Sequence, residues 1–202
     1  MLTRRRIVLC LSLIVGIGAL WILLIRNCPD VGLALTSRAR QLHRLKNRTQ
    51  VPSADQFDSQ VTLDELLKPG DDSNRWSTTH AARLEGEVND VAYARPEATN
   101  CFSPCRRDIH ITVATHKAAS KTEQVIVEVT PNMREWAQAR GIDWSEQTLQ
   151  KNLVGHWCEF EGWMYFDVGH AEESENTSPQ RQGNWRATAW EIHPVTGIRV
   201  IR

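Results

Sequence analysis

The chain has no net charge, its 24 Lys and Arg being matched by 24 Asp and Glu. A domain that grips a polyphosphate backbone usually carries a positive field, so this balance argues against nucleic acid as a partner. There is no internal repeat at the periods that mark solenoids, and no H-E-x-x-H spacing to announce a helical zinc site. Cysteine is also scarce, at five in 202 residues. No second close pair accompanies Cys101 and Cys105, as a four-cysteine zinc site would require. What is plentiful is tryptophan: eight residues, six of them from Trp136 onward.

One further absence is local. Ile7 to Ile25 (IVLCLSLIVGIGALWILLI) runs for nineteen residues without a charge. At 1.5 Å per residue, such a helix nearly spans a hydrocarbon core of about 30 Å. Cleaved signal peptides have shorter apolar stretches followed by a small-x-small site, and none follows Ile25. The expectation is an uncleaved signal anchor: residues 1–6 a basic flank, 7–25 a single transmembrane helix. Arg4, Arg5 and Arg6 abut it on one side, while Asp30 dilutes Arg26, Arg38, Arg40 and Arg44 on the other. The positive-inside rule then places the N-terminus in the cytoplasm and the remaining chain outside.

The zero balance conceals an asymmetry. Met1–Thr79 holds 11 basic and 7 acidic residues, His80–Arg202 13 and 17. Residues 26–75 are expected to form a basic juxtamembrane segment and linker. Leu35, Leu42 and Leu45 among arginines suit either a membrane-surface helix or a solvated stalk. Pro52, Pro69-Gly70 and Asp71–Asn74 mark loop, with a turn or two of helix around Val61–Leu67.

Residues 76–202 read as one β-rich domain. In Ala82–Tyr93, Leu84, Gly86 and Val88 alternate with Arg83, Glu85 and Glu87, a half-buried strand. The alternation slips near Asp90, as one extra residue at a bulge would make it. Asp108–His116 and Gln124–Thr130 repeat the pattern. Met133–Arg140 and Ser145–Leu153 change to helical spacing, broken by Gly141. Strands return at His156–Phe166 and, after a polar loop, at Asn184–Ile201. Three strands, a helical connection, then two strands is the order of a five-stranded OB-like barrel.

Several segments resemble a group of bacterial proteins without an established activity and with an OB-like barrel. They are Arg107–Ile111, Val125–Pro131, Glu161–Asp167, His170 and Asn184–Thr196, most specifically the run Trp190-Glu191-Ile192-His193-Pro194. The resemblance covers residues 80–201. It implies the fold and assigns no chemistry.

The candidate site is a polar set: Asp108, His110, Glu128, His170, Arg186, Glu191 and His193. Period-2 alternation puts His110 opposite Ile109 and Ile111, and Glu128 opposite Val127 and Val129. Glu191 and His193 share one face of the last strand. Of these, His110, His170, Glu191 and His193 are the candidate ligands for a divalent metal such as zinc. They suit acid–base work equally, and a structural role as paired charges stands beside both. Cys101 and Cys105 are expected to close a small disulfide ring outside the cytoplasm, with Cys158 a buried hydrophobe. Trp157, Trp163 and Tyr165 share a face suited to packing under the helical connection. Together these features describe a binding or scaffolding module, held at the membrane by residues 7–25, with a protein, peptide or glycan partner. The alternative is a phosphodiesterase-like hydrolase that uses the histidines with a metal.

Overall fold

The computed structural model describes residues 28–202; the expected basic flank at 1–6 and membrane helix at 7–25 lie outside them. Among the described residues no helix is long and apolar enough to cross a membrane.

Two helices, α1 (Ser37–Asn47) and α2 (Leu63–Leu66), precede five strands: β1 (Ala81–Tyr93), β2 (Ile109–Ala114), β3 (Val125–Val129), β4 (Trp157–Phe166) and β5 (Trp190–Val200). The strands close into a barrel in the order β1-β2-β3-β5-β4, with β4 returning to pair with β1. Only β3 and β5 run parallel, with Val127 opposite Ile192. Helices α3 (Pro131–Gln138) and α4 (Glu146–Leu153) join β3 to β4. The mainly-β barrel and its helical connection between strands 3 and 4 are thus as the alternation implied.

Local chemistry explains the boundaries. Thr130 accepts a hydrogen bond from the Met133 backbone at the start of α3, with Pro131 in its first turn. Ser145 does the same for α4, so each helix satisfies a donor that its first turn leaves unpaired. In β1 the register shifts between Val88 and Asp90, making Asn89 the extra residue and returning Val91 to the interior. Alternate side chains then fill the barrel: Leu84, Ile109, Ile111, Val127, Phe160, Met164 and Ile192 form one cluster with Met133, Leu149 and Leu153 from the helices. At Gly162, where the β4–β5 register shifts, a Cβ would collide with the Pro194 carbonyl.

Four expectations are corrected. The segment 28–75 is no free linker, because Val61, Leu63 and Leu66 belong to the apolar core. Asp72 is also fully buried, accepting hydrogen bonds from Asn176 and Thr188 at 2.8 and 2.6 Å. The Cys101–Cys105 ring is not formed: Cys101 pairs with Cys28, 73 residues away. Cys101 follows a turn at Ala98–Asn100 and is buried against the N-terminal segment, whose Leu33 donates to the Ala98 carbonyl. Cys105 stays exposed and free. The last strand begins at Trp190 rather than Asn184; residues 184–189 form a connection bridged to Ser174 through Arg186. Finally, Trp163 and Tyr165 pack beneath the N-terminal segment and not beneath the helical connection. Trp163 donates to the Gln50 carbonyl at 2.7 Å, and the Arg48 guanidinium lies 4.5 Å from its ring centre. Cys158 is buried and free, as its strand face implied.

Candidate functional site

The barrel has a second dry region on its outside. Period-2 geometry sends Ile109, Val127 and Ile192 inward and therefore sends His110, Glu128, Glu191 and His193 outward. Outward is not solvent here, because α1 packs against β5 and residues 186–189 are buried beside it. Glu128, Arg186, Glu191 and His193 have at most 1% exposure.

These groups connect in sequence. His110 Nε2 lies 2.9 Å from Glu128 Oε1. His193 Nδ1 lies 3.1 Å from Glu128 Oε2 and 3.2 Å from Glu191 Oε2. A ring N–H points at only one acceptor, and its line favours Glu191. The other Glu191 oxygen accepts from Arg186 Nη2, whose Nη1 lies 3.9 Å from Asp167. Asp167 in turn is 2.6 Å from His170 Nδ1. The chain begins and ends at the two partly exposed histidines, His110 and His170. Beside it, Lys46 at the end of α1 reaches Glu97 at 3.0 Å, and Asp108 accepts from Asn100 at 3.1 Å.

Charge in this setting is set by neighbours. Burial would lower the Lys46 ammonium, but Glu128, Glu97, Asp167 and Asp108 hold it well above its usual value. Burial would raise Glu128, yet His110 and His193 keep it well below the ordinary carboxylate range. Glu191 is held low against its burial by Arg186. His193 is raised by Glu128 and Glu191 against its burial. His110 is also pushed up, to about 9, as the Glu128 carboxylate outweighs the effect of burial. Asp108 goes the other way: burial lifts it to about 6, partly opposed by His193. The hydrogen bond that His170 donates to the Asp167 carboxylate raises His170.

An open groove of about 500 Å³ adjoins the two ends of the chain, lined by Tyr93, Arg95, Glu97, His110, His170 and Trp185 among others. Trp185 organises it. Its ring is nearly parallel to that of His110, with centroids 6.2 Å apart and planes at 8°. It meets His170 edge-on at 5.2 Å and covers the buried Arg186 guanidinium at 4.3 Å. Its indole N–H donates to Glu173 at 2.6 Å.

Six of the seven residues singled out from sequence therefore fall in one network, at two depths, with Asp108 beside it on Asn100. Glu191 and His193 have no exposure, so a molecule in the groove meets only His110 and His170 of the four expected metal ligands. Among the described residues the one compact group of metal-type donors is instead Asp108, Glu128 and His193. Sequence reasoning missed Lys46, Asn100, Asp167 and Trp185 as members. The spacing Asp167-x-x-His170 was a usable signal for one dyad. A lone lysine in a basic stretch gave none.

Comparison with protein-family models, curated proteins and solved structures finds no match for this chain.

Proposed function

We propose that the chain is a membrane-anchored, extracytoplasmic binding module on an OB-like barrel, with its ligand seated in the groove at Trp185. The strand order β1-β2-β3-β5-β4, with helices between the third and fourth strands, supports the OB-like reading. The Cys28–Cys101 disulfide supports an oxidising compartment, since such bonds rarely persist in the cytosol. It also fits a chain that has just left the membrane at Ile25.

The observation that carries the reading is the aromatic wall of the groove. Trp185 is half-buried between two imidazoles, each held from behind by a carboxylate. Such a wall is already rigid, so a flat ligand loses little entropy by ordering it. An indole face edged by donors and acceptors suits a sugar ring or a peptide side chain. Glu97 and Glu173 in the same groove disfavour a phosphate backbone.

The test is a screen of the full chain, purified in detergent, against glycan and peptide arrays, followed by titration of any hit. Trp185→Ala should weaken binding by at least about 30-fold, the loss expected of a central aromatic anchor. A hit whose affinity is unchanged in that variant would remove the groove from consideration.

A further inference from the structure

We propose that the buried layer outside the barrel holds a divalent transition-metal ion, coordinated by Asp108, Glu128 and His193. The three residues come from the approach to β2, from β3 and from β5. One donor atom of each lies within 4.8 Å of those of the other two. Proximity among acidic groups is common and proves nothing alone. Here each residue has the same further property: one of its two donor atoms is fixed by a neighbour and the other is buried with no hydrogen-bond partner among the described residues.

Asp108 Oδ2 accepts from Asn100, which leaves Oδ1 unpartnered. Glu128 Oε1 lies 2.9 Å from His110 Nε2 as an ion pair, while Oε2, 3.1 Å from His193 Nδ1, accepts no hydrogen bond. His193 directs Nδ1 to Glu191, which leaves Nε2 buried and unpartnered. The three side chains have 1%, 1% and 0% exposure. An orphaned polar atom at such depth is costly to bury, and the three residues repeat that cost. Metal-binding imidazoles characteristically donate their second N–H to a carboxylate, which fixes the ring and leaves the other nitrogen for the ion. His193 with Glu191 has that arrangement, and Asn100 and His110 do the same for the two carboxylates.

Two oxygens and one imidazole suit zinc or manganese, whereas calcium asks for six to eight oxygen ligands. Because Asp108, Glu128 and His193 are closed to the groove, the ion is a structural cross-link between β2, β3 and β5. The site is therefore independent of the groove ligand.

The experiment uses the full chain in detergent. Metal content is measured by elemental analysis after dialysis with and without a chelator, and thermal unfolding is followed with zinc or manganese added back. The expected result is about one equivalent of metal per chain and a midpoint that falls with chelation and recovers on addition. Asp108→Asn and Glu128→Gln should each lose the metal, while Glu173→Gln, in the groove, should keep it. Should the two ligand variants fail to fold, cobalt substitution of the unmodified chain reads the site directly, through visible bands of a low-symmetry oxygen and nitrogen site. A metal-free chain whose midpoint is indifferent to both ions overturns the proposal. So does metal retained at full stoichiometry by the folded Asp108→Asn variant.

Discussion

Inside the barrel, Leu84, Ile111, Val127, Phe160 and Ile192 have no exposed surface and no polar side-chain atom. On the other side of β3 and β5, Glu128, Glu191 and His193 are just as dry, and each is ionisable. The same strands thus separate two interiors held by different forces. The apolar one is non-directional and roughly proportional to area; it tolerates exchanges that conserve volume. The polar one is directional and collective. Each member is tolerable only because a named neighbour offsets its charge, so loss of one leaves another uncompensated.

The sharpest way to break this contrast is to remove one member from each side. Arg186→Met should destabilise by about 3–5 kcal/mol, because Glu191 is left buried without its cation. Leu84→Ala should cost about 2–5 kcal/mol through lost transfer energy and a cavity. The totals overlap, so the discriminating measurement is rescue. Adding Glu191→Gln to Arg186→Met should recover about 1–3 kcal/mol in urea unfolding, as coupled neighbours do. No single polar change should rescue Leu84→Ala. Strict additivity in the Arg186–Glu191 cycle would mean that the outer layer is not a network.

The second test concerns what covers that layer. The Cys28–Cys101 bond closes a loop of 73 residues in sequence separation, for which the chain-entropy model gives a stabilisation of roughly 4 kcal/mol at most. Cys28→Ser should show most of that loss. Amide exchange should accelerate first in α1, around the buried Lys46, and last in β1 and β4. Uniform acceleration across the barrel would mean that the two interiors open together.

The smallest effect is the pH dependence at the end of the network. The Asp167 hydrogen bond raises the folded-state value of His170, so protonation favours the folded chain. The contribution is complete below the ordinary imidazole value of about 6.5 and is lost as pH rises through the raised one. His170 is one-third exposed in its side chain, so solvent screening limits the effect to a few tenths of a kcal/mol. Unfolding at pH 6 and pH 8.5 should show a decline to which His110, pushed up to about 9, also contributes, and Asp167→Asn should remove only the His170 share. An Asp167→Asn slope equal to that of the unmodified chain would remove the dyad.

Much of the barrel was legible because period-2 alternation reports directly on the apolar interior: Ile109, Ile111, Val127 and Val129 lie where that pattern puts them. The bulge at Asn89 was legible for the same reason, as a break in the pattern. Alternation also named His110, Glu128, Glu191 and His193 as facing outward. It is silent on whether outward means water or a second layer, since both select polar side chains. The covering elements were hidden accordingly. Residues 37–47 have the composition of a stalk, yet they bury Lys46 and Asn47. Asp72 sits in a run of turn formers, yet it is fixed from Asn176, Thr188 and the Trp190 indole. Pairing between Cys28 and Cys101 was invisible because sequence favours the near partner, Cys105, whereas the fold brings the distant one within 5.8 Å between Cα atoms.

That bond has a mechanical consequence. A pull on the chain ahead of Cys28 would otherwise act first on the 28–36 segment and then on α1, unzipping its contacts one at a time. With Cys28 tied to Cys101, the force bypasses α1 and enters the connection between β1 and β2, two strands joined by a hydrogen-bonded ladder. There the load is shared by two strands, each held by a ladder to a further neighbour, β4 or β3. The strap converts a peeling geometry, in which the outer layer would be the first thing torn, into one in which that layer is outside the line of tension.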